Sequence, residues 1–286
     1  MPDISNEIVS SLSVLQSCDR QRVSDGQTAS ILGGCAPDRR LLVLVLPQLG
    51  DFDSLEYAWW LNRDRERLDA ANVTVRAVGI GDRASGKAFC DYTQFPEESL
   101  FIDPTGQLHR DLGLYAGLTW DFPLLSASQS AWVNLMLMCA GIGSPGTLAE
   151  VFRGYRGDRA APQLIGDDET IVAKPLPPLR GAFFAAAGGS GFQRPFELAT
   201  LRLRNMAEVL GRWKTYVPDA QHMTQRGATF VFEGFDAASS GGDRSQDRAL
   251  LYEHRDPGIL RFAANPSDPL SFLDELPAAE PVAAGK

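Results

Sequence analysis

The amino-acid sequence predicts an α/β fold, with a central mixed sheet flanked by helices and a large, mostly helical insertion before the last β-hairpin. Two observations predict this architecture. Apolar, strand-like runs alternate with a helical pattern in the first part of the chain, which is typical of parallel βαβ units. Two further strand-like segments occur only near the end of the chain. With 286 residues, the chain can form one large domain or two medium-sized ones.

The first βαβ unit begins at residues 41–46 (LLVLVL), which contain only Leu and Val. Such a run is typical of a strand that is buried on both faces. A helix follows, with Asp53 and Ser54 as candidate N-cap residues and Glu56 in its first turn. Residues 73–81 (VTVRAVGIG) predict the second strand. The two strands are separated by about thirty residues, the length of a right-handed βαβ unit.

Three further segments complete the predicted sheet. Residues 100–107 predict a third strand that ends in a turn containing Pro and Gly. Residues 229–233 and 249–253 predict an antiparallel hairpin. We expect these segments to lie in one sheet with 41–46 and 73–80. The Ser- and Gly-rich residues 239–245, inside the hairpin, are predicted to be mobile.

These elements, in this order, resemble the peroxiredoxin-like branch of the AhpC/TSA family, which has a thioredoxin-like fold. The resemblance covers residues 22–116 and 221–263. It implies that residues 1–117 and 221–276 form one thioredoxin-like core, that 118–220 are an insertion, and that 277–286 are a mobile tail. The residues that carry it are VGIG at 78–81, Phe89-Cys90, Phe95-Pro96, LFIDPTG at 100–106, DLGL at 111–114, QRGATFVF at 225–232 and LYEHRD at 251–256.

The resemblance also locates the family's active-site turn. Peroxiredoxins carry Pro-x-x-x-Thr-x-x-Cys, which from Pro47 places the Thr position on Asp51 and the peroxidatic Cys position on Ser54. The branch's motif Gly-Cys-x-x-Cys-Arg-Glu-x-Ala, aligned on Gly50, places its two cysteines on the same two residues. Peroxide reduction needs a thiolate, and a serine hydroxyl does not ionise at neutral pH. The resemblance therefore implies a site whose catalytic cysteines are replaced.

Ser54 has two interpretations. It is a helix cap, or it is a nucleophile, and a nucleophile would need a base from among the three histidines. No Gly-x-Ser-x-Gly elbow surrounds Ser54, so a hydrolase is not favoured. Arg226 also has two interpretations. The resemblance implies a residue that polarises peroxide, whereas an Arg near Asp51 or Asp53 can simply form an ion pair. The histidines are His109, His222 and His254.

The cysteines favour free thiols in a cytoplasmic protein. No Cys-x-x-Cys spacing occurs, no metal-ligand residues lie near them in sequence, and no secretory signal precedes them. We therefore predict no cofactor and no metal. Cys90 is the candidate for an alternative working thiol, because the resembling branch often has Phe-Cys there, although a buried small side chain is its other interpretation. The four cysteines are Cys18, Cys35, Cys90 and Cys139.

The predicted insertion opens with an uncharged stretch. Residues 122–149 contain no charged side chain, and 131–140 are strongly apolar. The continuous apolar part is shorter than the ~20 residues of a membrane-spanning helix, so we expect no span. We expect this stretch to pack against the chain's own core unless a partner covers it. Thr147 and Glu150 have the spacing of a capping box, which predicts a helix over 148–154.

The second part of the predicted insertion combines a Gly-rich segment with a helix. Residues 181–192 are uncharged and contain several glycines, which favour a mobile loop. Residues 197–211 have an amphipathic pattern that predicts a helix, preceded by Pro195 and closed by Gly211.

Two classes of function follow from the sequence. The net charge of −9 disfavours nucleic acid as a partner. The favoured class is a redox-silent member of the resembling family that binds a protein through the insertion; candidate partners include the soluble face of a membrane complex. The alternative is an antioxidant thiol oxidoreductase that uses Cys90 or Cys35. The residues predicted to contact a partner are Trp132, Phe183, Phe184 and Phe192.

Overall fold

The computed structural model describes residues 11–36, 38–157, 163–234 and 249–277. Within them, a seven-stranded mixed sheet forms the centre of the protein, and a separate two-stranded sheet lies in the 118–220 segment. The strands are β1 (Asp19–Arg22), β2 (Thr28–Ser30), β3 (Arg40–Gln48), β4 (Val73–Ile80), β5 (Leu100–Ile102), β6 (Thr170–Ile171), β7 (Leu179–Arg180), β8 (Ala228–Phe232) and β9 (Leu250–Arg255).

Helices cover the central sheet and form most of the regular structure between β5 and β8. The helices are α1 (Ser11–Gln16), α2 (Phe52–Arg63), α3 (Arg65–Ala70), α4 (Arg83–Thr93), α5 (Gln107–Asp111), α6 (Ala127–Cys139), α7 (Thr147–Arg156), α8 (Gly181–Gly211) and α9 (Trp213–Tyr216). No described helix is both long enough and apolar enough to cross a membrane.

The strand order of the large sheet is β2-β1-β5-β4-β3-β8-β9. Strand β3 pairs with β4 in parallel, β4 pairs with β5 in parallel, and β8 pairs antiparallel with both β3 and β9. The predicted strands and the late hairpin therefore lie in one sheet, as expected, and the mixed α/β architecture is consistent with a thioredoxin-like fold. The β1–β2 hairpin was not predicted. Its residues are polar and only partly buried, because it extends the sheet by backbone pairing at an edge.

Strand β3 supplies apolar side chains to both faces of the sheet. All nine of its residues are buried. Leu42 and Leu44 pack into the cluster that also contains side chains of α2, α4 and α8. Val43 and Val45 point to the opposite face, where α1 and α5 cover the sheet. This alternation follows from the two-residue period of a strand and explains why the run lacks polar residues.

The Gly-rich segment 181–192 is helical, so the predicted loop is wrong. It forms the first part of α8, and Pro195 lies inside this helix rather than before it. Phe184 is buried in the main apolar cluster, where it holds the segment against the core. Tertiary packing therefore outweighs the unfavourable helix propensity of glycine, about 1 kcal/mol per residue relative to alanine. Gly181 itself is needed at the start of α8, because a Cβ there would lie 1.8 Å from the carbonyl oxygen of Gly166.

The predicted capping box of α7 does not form. Thr147 is the first residue of the helix, and its hydroxyl donates to the carbonyl oxygen of Ile259 at 2.8 Å. Glu150 pairs with Arg153 at 2.6 Å instead of with the cap. These two side chains serve tertiary and local ionic contacts, and α7 extends to Arg156 rather than to residue 154.

Helix α6 packs only in part against the core. Ser130, Asn134 and Met138 form its buried stripe. Ala131 and Leu135 pack partly against the main apolar cluster. The apolar stretch is therefore not buried as a whole. The predicted mobile residues 239–245, and residues 278–286 of the predicted tail, lie outside the described part of the chain.

Candidate functional site

The candidate site lies in the turn between β3 and α2, where the resemblance noted in the sequence predicts an active-site turn. Asp51 is the N-cap of α2, and its side chain accepts a hydrogen bond from the backbone N–H of Asp53 at 2.9 Å. The prediction that Asp53 or Ser54 caps this helix is therefore wrong. Asp51 has the extended backbone conformation that an N-cap requires, whereas the two later residues already lie in the first turn.

Ser54 is buried in that first turn. Its hydroxyl donates to the carbonyl oxygen of Gln48, at the end of β3, at 3.0 Å. Only 1% of the residue is exposed. The hydroxyl therefore ties α2 to the strand before it, and no thiol is present in this turn.

Arg226 reaches the site from the segment before β8. Its guanidinium is fully buried and lies 2.6 Å from Asp51 Oδ2 and 3.5 Å from Asp53 Oδ2. It also donates to the backbone carbonyl oxygens of Thr224 and Met223. The structure therefore brings Arg226 and Asp51 together as an ion pair, one of the two interpretations that the sequence left open. Such partners are what a buried charge needs to be tolerated.

Asp256 is a third carboxyl group at this site, and sequence reasoning assigned it no role. It follows β9, is buried, and accepts the backbone N–H of Gly227 at 3.0 Å. The only signal in the sequence was its place at the end of the LYEHRD phrase. Gly227 allows the backbone before β8 to lie close to the backbone of β3, since a Cβ at position 227 would lie 2.2 Å from the carbonyl oxygen of Val45.

The three carboxyl groups share one guanidinium, so they do not all ionise easily. Burial raises the pKa of Asp256 to about 7. Burial also raises the pKa of Asp53 well above its usual value, with a further contribution from the charge of Asp51. Near neutral pH this site therefore retains protons, and it opposes any additional negative charge such as a thiolate.

A small cavity of about 10 Å³ lies among these groups, lined by Asp53, Ser54, Tyr57, Thr229 and Asp256. Within the described residues, the Oδ1 atoms of both aspartates are buried and have no hydrogen-bond partner. The space suits about one water molecule, which can bridge two such oxygens. The arrangement can hold a water molecule and protons, but it offers no nucleophilic sulfur.

None of the three histidines is positioned as a base for Ser54 in the described part of the chain. His109 donates from Nε2 to the carbonyl oxygen of Leu46 at 2.9 Å, and burial lowers its pKa to about 4. His254 donates to the carbonyl oxygen of Arg261 at 2.7 Å. The pKa of His222, near Gly106, is lowered by burial. The geometry does not support a serine nucleophile.

All four cysteines are free thiols. Cys90 is buried, and this burial raises its pKa to about 12. Burial likewise raises the pKa of Cys18 to about 11. Cys139 is an exposed residue at the end of α6, and the charges of Asp51 and Arg226 act on its thiol, although the surrounding protein raises its pKa. Among the described residues, no group of three His, Cys, Asp or Glu side chains is arranged to hold a metal ion.

The structure separates the residues predicted to contact a partner. Phe184 is 1% exposed and belongs to the core, whereas Phe183 is 53% exposed. Trp132 stacks on Trp213, with the ring centroids 4.9 Å apart. The side chain of Phe192 lies outside the described residues. Other apolar side chains between residues 120 and 152 are more exposed than Trp132; they are Trp120, Leu124, Leu125, Met136, Ile142, Leu148 and Phe152, called the 120–152 apolar residues below.

Comparison with known proteins gives one match. Residues 60–171 match the family model described as AhpC/TSA antioxidant enzyme. The matched range begins inside α2, after Ser54, and includes β4, α4 and β5. No curated protein and no solved structure matches the chain significantly.

Proposed function

We propose that the chain is a redox-silent, cytoplasmic member of the AhpC/TSA peroxiredoxin-like family, whose model matches residues 60–171, and that it binds a protein partner. In this proposal, Asp51, Ser54 and Arg226 occupy the positions of the family's active site without performing its chemistry. The 120–152 apolar residues contact the partner.

The observation that carries the redox-silent part is the environment of Ser54. Its hydroxyl is held by the carbonyl oxygen of Gln48. Among the described residues, the only cation that forms a salt bridge with Asp51 or Asp53 is Arg226. A peroxidatic site needs a thiolate and a free positive charge beside it. Neither is available in this turn.

The exposure of apolar side chains supports the binding part. Leu124 is 100% exposed, Phe152 57% and Met136 52%. The stretch 122–149 also lacks charged residues. Exposed apolar residues that lie close together in the sequence and are not interrupted by charge are typical of the core of a protein–protein interface.

An assay of the purified protein tests the redox-silent part. We expect no turnover of hydrogen peroxide with a thiol reductant and no reduction of a disulfide substrate. Thiol labelling with mass spectrometry would follow each cysteine separately during exposure to peroxide. Turnover that disappears in a single Cys→Ser variant would contradict the proposal.

A photo-crosslinking experiment tests the binding part. A photoreactive amino acid replaces Met136 in one sample and Val172 in the control, since both side chains are about equally exposed, at 52% and 53%. We expect one protein to be crosslinked in cells from position 136 and not from position 172. The double variant Met136→Ser, Phe152→Ser should lose this partner. Equal labelling from both positions would contradict the proposal.

Restoring a thiol tests the location of the inherited site. We expect Ser54→Cys to react slowly with peroxide, because the nearby carboxyl groups oppose a thiolate at the helix N-terminus. The double variant Asp51→Thr, Ser54→Cys should react faster, since it removes one carboxylate and releases Arg226 from the shorter of its two ion pairs. Stopped-flow measurement of thiol loss gives both rates. Equal background rates would mean that Ser54 does not occupy the nucleophile position.

One observation favours a second candidate, thiol-dependent peroxide reduction. Cys139 is an exposed residue whose thiol feels the positive charge of Arg226, although burial of the thiol and the charge of Asp51 together raise its pKa. Its thiolate would attack an oxygen of hydrogen peroxide and break the O–O bond, forming a sulfenic acid and hydroxide, which is protonated to water. Two low-molecular-weight thiols would then restore the Cys139 thiol, releasing a second water molecule and leaving as a disulfide. Cys90 is less suited because it is buried. This candidate predicts peroxide turnover that is lost in Cys139→Ser and kept in Cys90→Ser.

A further inference from the structure

A pocket of about 360 Å³ opens between α2, α4 and α8. None of its lining residues belongs to the candidate site at the end of β3, and the proposed function does not use it. Its walls combine aromatic, cationic and amide side chains. The residues that matter are Trp59, Asn62, Arg65, Tyr92, Arg204 and Asn205.

Contacts between the helices form the pocket in advance of any ligand. The hydroxyl of Tyr92, on α4, donates to Oδ1 of Asn205, on α8, at 2.8 Å. The amide of Asn62, on α2, donates to the carbonyl oxygen of Thr93. Close by, Arg202 of α8 pairs with the buried Glu56 of α2 at 2.9 Å. A site that is already built loses little freedom when a ligand binds.

Two arginines line this pocket without forming ion pairs. Arg65 donates to the amide oxygen of Asn62 at 3.2 Å, so its guanidinium is held at the rim. The guanidinium of Arg204 lies 5.0 Å from the centroid of the Tyr92 ring. In the described part of the chain, neither contacts a carboxylate closely enough to form a salt bridge. In a protein with a net charge of −9, these two guanidinium groups give the pocket local positive charge.

Asn205 provides the second, independent observation. The residue is 2% exposed, and its amide nitrogen has no hydrogen-bond partner among the described residues. A buried donor without an acceptor is unfavourable. Because Asn205 lines the pocket, a ligand with a hydrogen-bond acceptor would satisfy this nitrogen.

We propose that this pocket binds a small planar anion, in which an aromatic ring carries a phosphate or carboxylate group. The ring packs against Trp59, the anionic group lies between Arg65 and Arg204, and an acceptor on the ligand takes the free N–H of Asn205. Pockets that bind small molecules begin at about 300 Å³, so the available volume suits a ligand of modest size. A mononucleotide and an aromatic carboxylic acid share this chemistry.

Calorimetric titration of the full chain distinguishes the two sources. AMP and indole-3-carboxylate are the probes; adenosine and inorganic phosphate represent the two halves of AMP, and indole and formate represent the two halves of indole-3-carboxylate. We expect at least one probe to bind more tightly than either of its halves. Binding of AMP alone identifies a nucleotide, and binding of indole-3-carboxylate alone identifies an aromatic acid. The proposal is overturned if neither probe binds at millimolar concentration, or if adenosine and indole bind as tightly as their anionic counterparts.

Variants locate the binding. Arg65→Gln and Arg204→Gln should each lower the affinity for the probe roughly tenfold, which is the effect of losing one charge-assisted hydrogen bond. Asn205→Asp keeps an acceptor for Tyr92 but removes the free N–H and adds negative charge, so it should abolish binding. Arg212→Gln is the matched control, because Arg212 pairs with Glu208 at the end of α8 and does not line the pocket. Wild-type affinity in both Arg65→Gln and Arg204→Gln would overturn the proposal. Because Arg65 is exposed, its replacement should leave the folded core intact.

Discussion

The carboxyl end of β3 and the surface formed by residues 120–152 contrast with each other. At the end of β3, the ionisable side chains of Asp53, Arg226 and Asp256 are buried. On α6 and α7, the apolar side chains of Met136 and Phe152 are exposed. Each region departs from the usual distribution of side chains, but in opposite directions.

The difference shows what each region depends on. The buried charges depend on one another, because each would be costly without its partner. The exposed apolar side chains have few contacts within the chain, so folding does not depend on them. Substitutions at the first region should therefore change stability strongly. Substitutions at the second should change stability little and affect only what binds there.

The largest effect is expected from Arg226→Met. This change leaves two aspartates buried without their cation and should lower the free energy of unfolding by about 3–5 kcal/mol at pH 8. The loss should be smaller at pH 5, where Asp256 is protonated because its pKa in the folded protein is about 7. Urea unfolding at both pH values measures it.

The control for that experiment is Arg22→Met. Arg22 forms a comparable pair with Asp25, 2.5 Å apart, but both side chains are substantially exposed. Its removal should leave the free energy of unfolding nearly unchanged. Equal losses in the two variants would contradict the view that burial makes the Arg226 pair important.

Asp256 should make stability depend on pH. Its pKa is about 7 in the folded protein, against an ordinary value of 3.8. The folded state therefore holds a proton that the unfolded state has released, and stability falls as the pH rises from about 4 to about 7, by at most about 1.4 kcal/mol per pH unit. Asp256→Asn should abolish this decrease of stability with rising pH. An unchanged pH profile in the variant, measured by urea unfolding, would show that Asp256 is not the group responsible.

Ser54→Ala should have a smaller effect. The change removes the hydrogen bond to the carbonyl oxygen of Gln48, which also accepts the backbone N–H of Asp51. We expect the free energy of unfolding to fall by about 1 kcal/mol, because a buried hydrogen bond is lost and not because a helix cap is removed. Ser126→Ala is the comparison, because Ser126 is the N-cap of α6 in a complete capping box. Unchanged stability combined with a lost activity would indicate a chemical role for Ser54.

The smallest effect on stability is expected on the exposed surface. Met136→Ser should change the free energy of unfolding by less than about 0.5 kcal/mol, as is usual for surface substitutions. Leu44→Ala, in fully buried β3, is the contrasting variant and should cost about 2–5 kcal/mol. A loss of similar size in the two variants would show that Met136 is part of the folded core.

The sequence determined the central sheet and the apolar strands within it. Strands β3 and β4 are predictable because a strand that packs on both faces needs apolar residues throughout. The hairpin β8–β9 is predictable for similar reasons. The β1–β2 hairpin is not, because it is joined by backbone hydrogen bonds that leave no pattern in its polar side chains. The first part of α8 is not predictable either, since its glycines disfavour a helix and the packing of Phe184 against the core opposes that preference.

For the candidate site, the sequence and its family resemblance predicted the turn, the place of Ser54 in it and an approach of Arg226 to Asp51 or Asp53, and the structure brings Arg226 to both aspartates. Only the tertiary structure decided that Arg226 pairs with both Asp51 and Asp53, and that Asp256 joins them. The pocket between α2, α4 and α8 also exists only in the folded chain. The physical reason is the same in each case: local patterns encode burial and helix starts, whereas partners distant in the sequence meet only when sheet pairing and helix packing bring them together.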